Sequence, residues 1–222
     1  SSDLSYRFRT EDDGFPGAVD LKLSYAVDAQ NALVVDWTAQ ALDQPTVASF
    51  TSHAYFNLSG VARSTVLDHI VSIYADGMLE TGDGLIPTGK VLPVEGTPFD
   101  LRQPQALAQS QTGGQYDHYW VGNHPPGHAG LALQARVSHP ASGRTLETWS
   151  TEPGLQLYTG NFLDGTLLGK KGHVYRMGDG IALEPQKFPD SPNEPTFPSA
   201  RIEPGHAYRH VMVYRFTISK GH

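Results

Sequence analysis

The stretch Val19-Asp20-Leu21-Lys22-Leu23-Ser24-Tyr25-Ala26-Val27 decides the fold class. Val19, Leu21, Leu23, Tyr25 and Val27 recur at every second position, with Asp20, Lys22 and Ser24 between them. Successive side chains of a strand point to opposite faces, so this pattern buries one face and wets the other. Asp28-Ala29-Gln30-Asn31 follows with turn chemistry. A second alternating run then carries Leu33, Val35, Trp37 and Ala39 on one side, and the two runs read as an antiparallel hairpin.

The same device recurs outward along the chain. Leu131 to Val137 and Arg144 to Ser150 flank Pro140-Ala141-Ser142-Gly143. Met212, Tyr214, Phe216 and Ile218 alternate with Val211, Val213, Arg215 and Thr217 near the end. Helical periodicity is nearly absent, and only Pro104 to Gln111 would make a turn or two. Strands without intervening helices predict an all-β antiparallel sandwich with little helix. No repeat, linker or charge block divides residues 1–222, which read as one domain. Two proline-dense stretches, Gly82 to Pro98 and Phe188 to Pro204, read as long loops that wall a shaped rim.

Composition narrows the function. The 222 residues hold 16 Lys and Arg against 23 Asp and Glu, a net charge of −7 with a pI near 5.7. A net-negative surface has no general phosphate-binding character, so nucleic acid is not the expected partner. With no cysteine, disulfides, thiolate nucleophiles and Cys-ligated metals are excluded. No apolar run reaches the roughly 18 residues of a membrane span. Ser1 to Arg9 do not read as a signal sequence, and the expected location is cytoplasmic.

Four residues stand out. His53, in Ser52-His53-Ala54-Tyr55-Phe56-Asn57, suits a general acid because its pKa lies near neutrality, or it is a half-buried strand histidine bonded to a carbonyl. Glu184 ends the apolar run Ile181-Ala182-Leu183. An unpaired charge there is costly to bury, so it either pairs with a cation or serves as a base with a raised pKa. Pro185 after it favours extended backbone at Glu184. Asp117 lies among Tyr116, His118, Tyr119 and Trp120, as an acid in a carbohydrate site would, or it opens a turn beside strand aromatics. Gln156 offers both a donor and an acceptor to a hydroxyl.

Three signals are set aside. His124 and His128 have metal-pair spacing, but Pro125-Pro126-Gly127 between them forbids a helix. The sequon Asn57-Leu58-Ser59 abuts a core strand, and Gly82-Asp83-Gly84 opens no helix. No metal site and no cofactor are predicted.

Ordered motifs across nearly the whole chain resemble the aldose 1-epimerase (galactose mutarotase) family. They run from Gly14-Phe15-Pro16-Gly17 and His53-Ala54-Tyr55-Phe56-Asn57-Leu58-Ser59-Gly60 through Ile86-Pro87-Thr88-Gly89 and Gly96-Thr97-Pro98-Phe99-Asp100. Tyr116-Asp117-His118, Gln156-Leu157-Tyr158-Thr159-Gly160-Asn161-Phe162, Leu183-Glu184-Pro185-Gln186, Phe188-Pro189-Asp190-Ser191-Pro192-Asn193 and Pro204-Gly205 complete the series. The resemblance implies a galactose mutarotase-like supersandwich that interconverts the α and β anomers of a free hexose, with no cofactor. It implies His53 as general acid, Glu184 as general base, Asp117 and Gln156 as sugar-hydroxyl partners, and Tyr55 lining the site. The acid and base are expected on opposite sides of the sugar.

Two departures accompany the resemblance. Pro185 stands where the family more often has Thr. The family's amino-terminal portion, with a sugar-binding arginine and a further histidine, has no counterpart in this sequence. Sandwich strands removed from a sheet leave a bare edge, so the expected partners are a monosaccharide and either a second copy or an additional chain over that edge. The competing readings are a carbohydrate-binding module with impaired catalysis and a glycoside hydrolase using Asp117 and Glu184.

Overall fold

The computed structural model describes residues 1–60, 64–124 and 130–219. His128, and with it the spacing from His124, lies outside the described residues. Eight antiparallel strands form the larger sheet. Their order is β1 (Ser2–Phe8), β2 (Val19–Val27), β3 (Ala32–Ala41), β18 (Tyr208–Ile218), β12 (Arg144–Ser150), β11 (Ala132–His139), β6 (Ile70–Ile73) and β9 (Gln105–Ala106). The smaller sheet has six, in the order β5 (Tyr55–Phe56), β16 (Ile181–Gln186), β13 (Gly154–Tyr158), β10 (Asp117–Val121), β7 (Gly77–Thr81) and β8 (Pro87–Pro93). Two short pairs, β14 (Asp164–Leu168) with β15 (Val174–Arg176) and β4 (Thr46–Val47) with β17 (Arg201–Ile202), lie outside these sheets.

The hairpin read from Val19 to Ala39 forms as expected, with Leu23 opposite Trp37 and Tyr25 opposite Val35. Asp28 Oδ1 accepts the N–H groups of Gln30 and Ala32, and Asn31 takes the left-handed conformation (φ 60°) that its short polar side chain tolerates. The inward faces of the two sheets meet in one core. Val35, Trp37, Met212, Tyr214 and Leu146 of the larger sheet pack toward Leu155, Leu157, Ile181, Leu183 and Trp120 of the smaller. Each such side chain, once buried, contributes about 1.5–3 kcal/mol. The sandwich is therefore held by the alternation first seen in β2.

Two local expectations need correction. Gly82 to Pro98 is not a continuous loop, because β8 pairs with β7 through a short turn at Asp83–Leu85. β8 is an edge strand, with Pro87 and Pro93 at its two ends, where a missing N–H breaks no ladder. Pro104 to Gln111 forms strand β9 and a single 3₁₀ turn, Leu107–Gln109, rather than an α-helical turn. Among the described residues the one α-helix is the four-residue Thr10–Asp13, closed by Gly14 at φ 76°. At the other end of the larger sheet β1 is an exposed edge, with Leu4 and Tyr6 in solvent.

Candidate active site

The outer face of the six-stranded sheet carries a cavity of about 490 Å³, within the usual size of small-molecule pockets. Four neighbouring strands supply alternate residues to it. β7 gives Leu79 and Thr81, β10 gives Asp117 and Tyr119, β13 gives Gln156 and Tyr158, and β16 gives Glu184 and Gln186. The residues between them, such as Trp120, Leu157 and Leu183, face the core. One pleat thus builds the core on one side and the site on the other.

Register aligns the polar groups. Tyr119, Gln156 and Glu184 are direct neighbours across β10, β13 and β16. Asp117, Tyr158, Ala182 and Tyr55 form the adjoining row, which reaches β5. His53 comes from the loop just before β5. All five residues singled out in the sequence line this one cavity.

His53 Nε2 lies 3.6 Å from Glu184 Oε1. The imidazole is half exposed, whereas the carboxyl is only 9% exposed. Burial raises the Glu184 pKa; the neighbouring His53 charge opposes this and the Asp117 charge adds to it, leaving the group pushed up to about 7. Glu184 thus has a cationic partner in His53 and a raised pKa at once. The two side chains are closer together than an acid and a base with a sugar ring between them would be.

Beside them Gln156 Nε2 donates to Asp117 Oδ1 at 2.7 Å. Asp117 opens strand β10 rather than a turn. The Tyr55 ring lies 5.1 Å from the His53 ring, and Tyr158 meets His53 edge-on at 5.9 Å. Burial, followed by the charges of Tyr158, Glu184 and Asp117, raises the Tyr55 pKa and keeps its phenol protonated. An acid, a base, an amide–carboxylate pair and aromatic rings are what a polyhydroxylated ring with an apolar face would meet.

The chain is similar to known proteins over nearly its full extent. The aldose 1-epimerase family model matches residues 1–215. The chain belongs to the aldose 1-epimerase family. Galactose mutarotase of Mus musculus is 43% identical over 211 residues, covering 94% of this chain and 60% of that protein. Aldose 1-epimerase of Escherichia coli K12 is 33% identical over 215 residues, 92% of this chain and again 60% of the relative. The crystal structure of an aldose epimerase homologue from C. elegans superposes with a TM-score of 0.89 at 31% identity, covering 98% of this chain and 66% of that one. The chain thus spans about 60% of the length of the curated family members it matches.

Other side chains of this family member line the cavity without having been singled out in the sequence. Tyr158 and Gln186 stand two residues from Gln156 and Glu184, so strand periodicity alone could have found them. Phe162 N–H donates to the Tyr158 hydroxyl, which holds the exposed Phe162 ring 6.2 Å from that of Tyr158. Nothing in the local pattern marks Phe162, Thr81 or His118. Asn57, the sequon residue, spends both amide hydrogens on Ser64 O and Asp179 O.

Proposed function

We propose that this chain carries an aldose 1-epimerase site acting on a free hexose such as galactose or glucose. The observation that carries the reading is the contact of half-exposed His53 with buried Glu184, in the same cavity as Asp117 and Gln156.

The chemistry follows from the bonds involved. The anomeric hydroxyl oxygen and the ring oxygen are both attached to C1, so an acid and a base that touch each other can address both without a large shift of the sugar. Glu184 takes the proton from the anomeric hydroxyl while protonated His53 gives one to the ring oxygen. The C1–O bond of the ring breaks and C1 becomes an aldehyde. Rotation about C1–C2 turns the other face to the ring hydroxyl. Closure then runs the transfers backwards, with His53 taking the proton and Glu184 returning one, so nothing is consumed. A base with a pKa near 7 is matched to neutral pH, and each positioned group supplies about 10²–10⁴-fold, or about 3–5 kcal/mol. Asp117 and Gln156 hold ring hydroxyls, and Tyr55 bounds the pocket.

Polarimetry on freshly dissolved α-galactose or α-glucose tests this. Decay faster than in buffer supports the epimerase. Binding without acceleration would leave a carbohydrate-binding module, and reducing sugar released from a glycoside would turn the pair of carboxyls into a hydrolase site.

A further inference from the structure

A closed ring of hydrogen bonds lies behind the loop that bears His53. Asp68, on the 3₁₀ turn Val66–Asp68, faces two histidines with its two oxygens. Oδ1 is 2.9 Å from His69 Nδ1 and Oδ2 is 3.2 Å from His139 Nε2. Both imidazoles are buried. The far nitrogen of His69, Nε2, accepts the backbone N–H of Leu58 at 2.9 Å. The far nitrogen of His139, Nδ1, accepts the N–H of Ser142 at 3.2 Å. The Ser142 hydroxyl in turn donates to Leu58 O at 3.0 Å. Both arms therefore end on one peptide unit's residue, Leu58, gripping its N–H through His69 and its carbonyl through His139.

One donor fixes the His69 tautomer. The backbone N–H of Leu58 can only donate, so His69 is bare at Nε2 and carries its proton on the nitrogen that faces Asp68, whose carboxylate accepts it. His139 Nδ1 meets both the N–H of Ser142 and, at 2.8 Å, its hydroxyl. These three side chains would suit a divalent cation by type, their ligand atoms lying within 4.8 Å of one another. The His69 nitrogen facing the centre, however, carries a proton, and its bare nitrogen is occupied by a backbone donor. The arrangement is that of a hydrogen-bonded brace.

Leu58 closes the turn after β5, two residues beyond Phe56. A third group, Arg144 Nη1, also donates to Leu58 O at 2.9 Å. Its guanidinium lies against Gly60, where an added Cβ would come within 2.6 Å of Nη1. β5 itself is held to β16 by only two residue pairs, Tyr55 with Ala182 and Phe56 with Ile181. So short a ladder fixes its own position weakly, and the turn behind it supplies further anchors.

We infer that Asp68, His69 and His139 are positioning residues that anchor Leu58 and thereby hold the His53 loop against Glu184. The inference rests on the epimerase reading only for its effect on turnover; the anchoring of the loop stands without it.

The test pairs His69→Leu with His69→Gln. Leucine fills the space with no acceptor, while the glutamine carbonyl reaches the place of Nε2. Amide hydrogen exchange is followed at Leu58 and, as a control, at Leu146 and Val213 in the larger sheet, with the His53 ring resonances followed by NMR. In His69→Leu, Leu58 exchange rises about tenfold, the size of one lost buried hydrogen bond, while the control amides keep their rates. The His53 ring resonances shift as the loop leaves Glu184, and His69→Gln restores both. Under the epimerase reading kcat falls in His69→Leu with little change in KM, and His69→Gln recovers it. Should His69→Leu not fold, Asp68→Ala, at an exposed side chain, removes the tautomer lock and produces the same two shifts. Wild-type exchange at Leu58 and unmoved His53 ring resonances in the folded variant would overturn the inference. An absence of mutarotation with these shifts intact would count against the epimerase reading alone.

Discussion

His53 Nε2 and Glu184 Oε1 meet at 3.6 Å, yet one side chain is half in solvent and the other almost wholly withdrawn from it. The asymmetry divides the labour. Withdrawal from water disfavours the charged carboxylate and makes Glu184 a stronger base than an exposed acid would be. Exposure lets His53 exchange protons with water. The two groups are brought together by strand β16 on one side and by the loop entering β5 on the other, joined through the Tyr55–Ala182 pair.

Glu184→Gln and His53→Asn each keep the shape of the wall and remove one proton carrier. Each is expected to lower kcat by about 10²–10⁴-fold with an unchanged circular dichroism spectrum. Polarimetry at saturating sugar measures the loss. Wild-type turnover in either folded variant would remove that residue from the mechanism.

The raised pKa of Glu184 has a cost in stability with a definite sign. Between its ordinary 4.5 and about 7 the folded protein keeps a proton that the unfolded chain has released. Stability therefore falls as pH rises through that window, by an amount on the order of 3 kcal/mol for a full shift of this size. Glu184→Gln is expected to be more stable than wild type at pH 8, with the gain shrinking toward pH 4.5. Urea midpoints at the two pH values check it, and a variant less stable at pH 8 would contradict it. Basicity gained by desolvation is here offset by stability lost.

His210 works in the opposite sense. Its Nδ1 donates to Phe50 O, its Nε2 accepts from the Ser150 hydroxyl, and its ring stacks on Trp37 at 4.6 Å. Burial pushes its pKa down to about 4; the Phe50 carbonyl opposes this and Lys187 adds to it. The unfolded chain takes up the proton first, so this residue's contribution is complete above pH 6.5 and is lost as pH falls toward 4. A full loss is on the order of 3 kcal/mol. Within pH 4.5–6.5 it runs against Glu184, so each variant is compared with wild type rather than read alone. In His210→Gln the stability difference from wild type should be largest near pH 7 and smallest near pH 4. A difference independent of pH would show that the histidine binds its proton equally well in the folded and unfolded chain.

The fold was legible because its information is local. Val19 to Val27, Arg144 to Ser150 and Met212 to Ile218 announce strands by alternation, and the Asp28–Asn31 turn gives the first register. Pro87 and Pro93 misled the reading of Gly82 to Pro98, since proline marks a loop only where an N–H is needed, and an edge strand's ends do not need it. The site was less legible. His53 and Glu184 were brought forward by residue type and family resemblance; no local pattern says that they touch, because β5 joins β16 through a long-range pair. Tyr158 and Gln186 could have been found two places from Gln156 and Glu184. The Asp68–His69–His139 brace could not, as its three members come from a turn and a distant strand and share no period.

Asp117 gives the sharpest test of how the cavity sets its own chemistry. Its carboxylate accepts from Gln156 Nε2 at 2.7 Å and its charge helps to raise the pKa of Glu184. Asp117→Asn removes that charge in nearly the same volume. With less repulsion, Glu184 ionises at lower pH, so the acid limb of the kcat/KM profile should move below its wild-type position near 7. Under the epimerase reading, loss of the carboxylate also removes a proposed partner of the sugar hydroxyls, so KM should rise more than kcat falls. Gln156→Leu separates the two effects. It removes the amide that contacts Asp117 but leaves the charge, so KM should rise while the acid limb stays where it was. A limb that moves equally in both variants would mean that the position of Glu184, rather than the field of Asp117, had changed.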